Sequence, residues 1–209
     1  MAKVRRDISV MILKMMLRVH ILRLSGRPQS AAVYNDAVTI YKILQADEAS
    51  FDAALDARVA MTNEINYLDH VLGGAVADVN HALLAVVKRD RQDPRYRRVF
   101  PQNPSDIVKR GHSEEQNRFL HSALAAIAAE PDFAAVPTAE LHTALTALET
   151  ARAHRETLYA AENEAKARLR VTFEQACDHL DEAEPRLTLL YPKQPALVKS
   201  FFYTRPKGE

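Results

Sequence analysis

The segment Asp93-Pro-Arg-Tyr-Arg-Arg-Val-Phe-Pro-Gln-Asn-Pro104 returns 91 residues later as Glu184-Pro-Arg-Leu-Thr-Leu-Leu-Tyr-Pro-Lys-Gln-Pro195. Four of the twelve positions are identical, and four more keep their chemistry: Asp/Glu, Val/Leu, Phe/Tyr and Asn/Gln. Val108-Lys109 then recurs as Val198-Lys199, one residue out of step. An internal period this long marks a duplicated structural unit. In each copy an acidic residue precedes proline, and proline disfavours the α region for the residue before it. Asp93-Pro94 and Glu184-Pro185 therefore read as helix terminators. The pairs Phe100-Pro101 and Tyr191-Pro192 turn the chain, and Val99-Phe100 and Leu190-Tyr191 plug the end of a core. Asn103-Pro104 fits a cap followed by proline at the first helical position, opening a short turn that Gly111 ends.

Upstream of each terminator the sequence reads as helix. No proline lies between Pro28 and Asp93. Ser30 caps a first helix to about Asp47, and apolar residues then recur from Phe51 through Leu55, Ile65, Leu68, Leu72, Val76, Val79, Leu83 and Val86 in steps of three and four. In the second half Ser113-Glu-Glu-Gln116 is a capping box. The helix it opens runs to about Glu130. Pro131 and Pro137 bracket a loop, and Thr138 caps a long helix reaching Glu184. Small residues at Ala151, Ala161 and Ala165 allow a neighbouring helix to come close.

The expected fold is all-α: an antiparallel four-helix bundle of two duplicated hairpins, each a short helix, a long helix and a Pro-aromatic-Pro terminator, plus an N-terminal helix. The divisions are 1–26 for the N-terminal segment, 27–111 and 112–200 for the hairpins, and 201–209 for an aromatic and basic tail. Five glycines and 47% hydrophobic residues suit helix and a sizeable core, and hairpin dipeptides such as Asn-Gly are lacking. A single cysteine, Cys177, forms no intramolecular disulfide. The apolar run Ile8 to Leu13 is too short for a secretory signal or a membrane span, which predicts a cytoplasmic chain without a transmembrane segment.

The N-terminal segment is apolar on two sides. Val4, Ile8, Met11, Ile12, Met15, Val19 and Leu22 fall on one, and Val10, Leu13, Leu17, Ile21 and Leu24 on nearly the opposite one. A stripe of Lys3, Asp7, Lys14, Arg18 and Ser25 separates them. A helix apolar on two faces needs two partners. One is this chain's own bundle; the second is another subunit, or else the helix is wedged inside a five-helix monomer. A strand ranks third.

Charge is segregated. The net is +6 over 1–27, +5 over 88–110 and +4 over 186–209, against −6 over 28–87 and −8 over 111–185. In the hairpin arrangement both terminators and the tail share one basic pole, including Arg110 and Arg205. That pole reads as an assembly surface for an acidic flank of a second copy, as an ordinary solvated end, or, more weakly, as a nucleic-acid or anionic-lipid footprint. The candidate interaction residues are Met11, Met15, Val19, Leu22, Arg95, Tyr96, Arg97, Arg98, Phe201 and Phe202. Tyr96, Arg97 and Arg98 of the first copy correspond to Leu187, Thr188 and Leu189 of the second, so the first copy is expected to be exposed and the second buried.

Arg58, Arg152, Arg155, Glu162 and Lys166 form an expected polar seam, since polar residues inside a bundle fix register and partner choice. A search for chemistry finds little. Asp78-x-x-His81 has no counterpart of the kind a di-metal bundle requires, and phosphate-loop, zinc-protease and nucleophile-elbow motifs are lacking. No catalytic, metal or cofactor residue is assigned. The expected function is that of a non-enzymatic structural or scaffold protein acting by self-association, a homo-oligomer or the partner of another protein; the alternative is nucleic-acid or anionic-surface binding through the basic pole.

Overall fold

A computed structural model describes residues 4–109 and 113–203. Gly111, expected to close the turn after Pro104, and Lys3, Arg110 and Arg205 lie outside the described residues. The described chain is all-α: α1 (Val10–Leu24), α2 (Ala31–Val86), α3 (Pro94–Val99), α4 (Pro104–Lys109), α5 (Glu114–Ala129), α6 (Ala139–Leu190) and α7 (Pro195–Ser200). Two compact units divide it, and the boundary crosses both long helices. Unit 1 holds residues up to Asp56 and from Ala160 onward; unit 2 holds Ala57–Tyr159.

The first expected hairpin does not form. In place of a short helix ending near Asp47 and a separate long one, α2 is a single helix of 56 residues. Nothing between Ala46 and Phe51 breaks helix, so the period simply continues. The second hairpin forms with its short helix as read, whereas its long helix continues past Glu184 to Leu190. The Ser113 hydroxyl accepts from the Gln116 amide at 3.1 Å, α5 ends at Ala129, and Pro131–Phe133 turn the chain toward α6.

In unit 1 the two long helices run antiparallel. Arg186 bonds Asp36 at 2.9 Å and Thr172 bonds Asp47 at 2.5 Å, so numbers rise on one helix as they fall on the other. Leu13 and Leu17 of α1 pack with Leu44, Ala176, Cys177 and Leu180. Leu24, Val33, Ala183, Leu187, Tyr191, Val198, Phe201 and Phe202 form a second cluster. In unit 2 one continuous cluster joins Ile65, Leu72, Val79 and Leu83 of α2 to Leu120 and Ile127 of α5 and Leu141, Leu145 and Leu148 of α6. Full burial of each such side chain is worth ~1.5–3 kcal/mol. Gly73 lets α4 approach α2, since a β-carbon there would stand 3.2 Å from a methyl of Val108.

The repeated segment is structurally real, but it does not stop helices as expected. In both copies six helical residues, 94–99 and 185–190, run from the Pro-Arg pair to a buried aromatic, Phe100 or Tyr191. Pro104 and Pro195 then begin six-residue helices whose fourth residues, Ile107 and Val198, are buried. Asp93-Pro94 starts α3: the Asp93 carboxylate accepts from the Arg95 amide at 2.8 Å, and proline occupies the position that needs no N–H. Pro185 sits inside α6, which continues to Leu190. The copies also lie in different units, because α2 leads into unit 2 and α6 leads into unit 1. The residues assigned to the basic pole are thus divided between the two units, Arg95, Arg97 and Arg98 in unit 2 and Arg186, Lys193 and Lys199 in unit 1.

What ends α2 is a Schellman turn. The Lys88 amide donates to the Ala85 carbonyl at 3.3 Å and the Arg89 amide to Leu84 at 2.6 Å. Lys88 and Arg89 both adopt left-handed backbone, with φ of 52° and 66°. A side chain at such a position strains the backbone by about 1 kcal/mol relative to glycine. Lys88→Gly is expected to stabilise the chain by roughly 0.5–1 kcal/mol in urea unfolding; a loss of stability would show that the Lys88 side chain itself supports the turn.

Candidate functional site

The face of the chain that most needs explaining is carried by α1. Ser9 caps it by accepting from the Ile12 amide at 3.3 Å, and Gly26, with φ of 72°, releases the chain after Ser25. Leu13, Leu17, His20 and Leu24 are buried and Val10 and Ile21 half-buried, so one of the two apolar sides is spent on unit 1. The other side is open: Met11 is 74% exposed, Leu22 65%, Met15 40% and Ile12 38%, with Val19 and Ile8 half-buried. Met11, Met15, Val19 and Leu22 are thus brought onto one uncovered stripe.

The helix is clamped from both ends. The Val4 amide donates to Asp181 at 2.7 Å, and Arg6 reaches Glu174, Asp178 and Asp181 on α6. Lys14 pairs with Glu48. Arg23 donates to the carbonyl oxygens of Ser200 and Phe202 at 2.8 and 2.7 Å. Most cations of the basic N-terminal segment are therefore engaged by its own chain. The exposed stripe is apolar surface on a fixed scaffold.

The other expected contact residues are placed elsewhere. Phe201 and Phe202 are buried in the cluster at the end of unit 1, so the tail docks on its own bundle and offers no contact surface. Tyr96 is buried as well. Its hydroxyl donates to the Asn80 carboxamide at 2.7 Å and its ring meets Phe100 edge-on. The expected contrast between an exposed first copy and a buried second one is corrected by this: Tyr96 and its counterpart Leu187 are both buried, while Leu189 is 82% exposed. Arg95 is held by Asp93 and Asp132, and Arg98 lies 3.6 Å from Glu130; Arg97 is exposed. The Arg95 guanidinium in turn holds the Asp93 carboxyl down at about 2. These are local ion pairs of a solvated surface, worth little individually.

The polar seam is divided between the units. In unit 2, Arg152 ties α6 to α5 through Asn117 at 2.9 Å and Gln116 at 3.4 Å, and burial pushes its guanidinium pKa below the usual value. Arg58 and Arg155 line one cleft of about 350 Å³ with Thr62, Glu156 and Tyr159. In unit 1, Glu162 is half-buried and Lys166 is exposed. Asp78 and His81 are both exposed.

Sequence reasoning missed an open groove of about 720 Å³ in unit 2, between α2 and α4, with Asn66, Asp69, His70, Asn80, Arg91 and Lys109 on its walls. Of these six only Asp69 and Asn80 are even half-buried, so the groove is well solvated. Its signal in the sequence was the Gly73-Gly74 pair, which lines it. Among the described residues no group of three or more His, Cys, Asp or Glu is placed to hold a metal ion, and no helix is long and apolar enough to cross a membrane. Comparison with protein-family models, with curated proteins and with solved structures found no match to this chain.

Proposed function

We propose that this chain is a non-enzymatic structural or scaffold protein that works by self-association, with the uncovered side of α1 as its contact surface. The observation that carries the reading is the contrast on one helix: Leu13, Leu17 and Leu24 are buried, while Met11, Met15 and Leu22 stand in water. Burying each of the exposed side chains is worth up to ~1.5–3 kcal/mol, which favours an apolar partner. A second copy of the chain is the occupant with the best support. Methionines adapt their shape to one another across an interface. Two of the basic residues that would make such segments repel are paired with carboxylates of their own chain, Lys14 with Glu48 and Arg6 with Glu174, Asp178 and Asp181. The alternative, nucleic-acid or anionic-surface binding, has less support, because Arg95 and Arg98 are turned to carboxylates of their own chain.

Size-exclusion chromatography with light scattering tests the reading. The chain is expected to run as an oligomer at low and high salt, and Met15→Glu with Leu22→Glu to convert it to a monomer of unchanged helicity. A monomer at all concentrations, or an oligomer indifferent to the double substitution, overturns it. An oligomer that dissolves only at high salt moves the contact to the basic segments. Retardation of nucleic acid in a low-salt gel shift would favour the alternative.

A further inference from the structure

Two buried imidazoles meet beneath the carboxy-terminal tail in unit 1. His20 of α1 has its Nδ1 3.0 Å from the Phe201 carbonyl oxygen. A carbonyl only accepts, so Nδ1 carries the proton and the neutral ring keeps its lone pair on Nε2. That Nε2 is buried without a partner among the described residues, and so is Nε2 of His179 on α6. The two rings meet edge to face with centroids 5.9 Å apart, and Phe202 stacks on His20 at 4.8 Å. Arg23 holds the carbonyls of Ser200 and Phe202, and the Arg27 guanidinium lies 5.1 Å above the Phe201 ring.

A proton added at His20 Nε2 creates a buried cation whose new N–H has no acceptor among the described residues, beside a phenyl ring and a second imidazole. Burying such a group uncompensated is unfavourable, and opening the contact to water relieves it. The charged groups among the described residues do not rescue His20. Arg23 and Arg27 approach the tail from the α1 side, and Lys199 lies on α7. Asp36 on α2 and Glu182 on α6 act on His179, where Arg186 opposes them and is itself paired with Asp36 at 2.9 Å. Asp178, also on α6, is taken by Arg6.

We propose that His20 and His179 form an acid-sensitive latch whose protonation releases the tail, residues 197–203, and uncovers Phe201 and Phe202. This inference stands apart from assembly through α1. Burial lowers the His20 pKa from the ordinary 6.5 to about 4, against the pull of the Phe201 carbonyl, and burial lowers that of His179 as well. A group whose pKa is depressed by docking stabilises the docked state fully above its ordinary value and progressively less as pH falls toward the docked one. Docking therefore weakens from about pH 6.5 downward, by roughly 30-fold at pH 5 through His20 alone.

The chain contains no tryptophan, so Phe202→Trp places a single fluorophore on the latch. Its emission is expected to be blue-shifted at pH 8 and to move red between pH 6.5 and 4 while far-UV circular dichroism holds. Adding His20→Asn, which keeps a donor near the Nδ1 position and does not titrate, should move the transition down by at least a pH unit. Emission constant to pH 4.5, a transition that coincides with loss of helix, or one indifferent to His20→Asn overturns the latch. Amide exchange in the unsubstituted chain is the second readout and decides if the indole fails to dock. After correction for intrinsic rates, Val198–Phe202 should exchange roughly 20-fold faster at pH 5 than at pH 7. Unchanged protection there refutes the proposal, and it does so whatever the oligomeric state.

Discussion

Phe201→Ala is expected to lower stability at pH 7 by roughly 3–5 kcal/mol, the range for a large aromatic removed from a closed core. The ring is completely buried, its centroid lies 5.6 Å from that of Tyr191, and its cluster draws on α1, α2, α6 and α7 through Leu24, Val33, Leu187 and Val198. A hole lined by four elements has no single wall free to collapse into it. The contact with Arg27 adds ~0.5–1 kcal/mol that alanine also forfeits. For a chain of this length the midpoint of thermal unfolding should fall by roughly 10 °C. The carbonyl that His20 contacts belongs to the backbone and survives the substitution, so the measurement isolates the ring. The effect should be smaller at pH 5 than at pH 7, because a released tail no longer depends on Phe201. A loss below ~1 kcal/mol at pH 7 would show that the tail rests on the bundle without holding it.

Helices were legible in this sequence wherever period and caps agreed, and illegible wherever proline was read without its neighbours. Ser113 and Gln116 announced α5, and the Leu141–Leu148 stripe announced the start of α6, because those signals are local. No residue near Asp47 opposes helix, and α2 runs through it as a single helix of 56 residues. An acidic residue before proline signals a stop and a cap with proline at the first turn equally well, and Asp93-Pro94 is the cap. The true stop, left-handed Lys88 and Arg89, carries no glycine or asparagine to mark it. On α1 the two apolar sides were visible from spacing, but which one would be covered was decided by Leu44, Ala176 and Leu180, far away in sequence. The His20–His179 contact was hidden for the same reason, since 158 positions and the whole of unit 2 separate the two residues in the chain.

Pro185→Ala is expected to stabilise the chain by roughly 1–3 kcal/mol, an uncommon direction for a substitution inside a helix. Pro185 lies in α6 with five helical residues after it, and its ring denies the Asp181 carbonyl its usual donor. The helix continues because Ala183, Leu187 and Tyr191 are buried around it, and their burial outweighs the lost bond. Pro185 is itself exposed, so alanine leaves no cavity and adds a donor where one was missing. Against this stands the greater freedom of the unfolded chain without proline, about 0.4–1 kcal/mol, which sets the lower end of the range. The corresponding change in the first copy should have the opposite sign. Pro94 opens α3 where no N–H is needed, so Pro94→Ala gains no bond and loses the restraint, lowering stability by up to ~1 kcal/mol. Urea midpoints of the two variants measure this directly. Opposite signs would establish that twelve similar residues were fitted to two different backbone roles, whereas destabilisation by both would show that Pro185 shapes α6 for the packing of Leu187 and Tyr191.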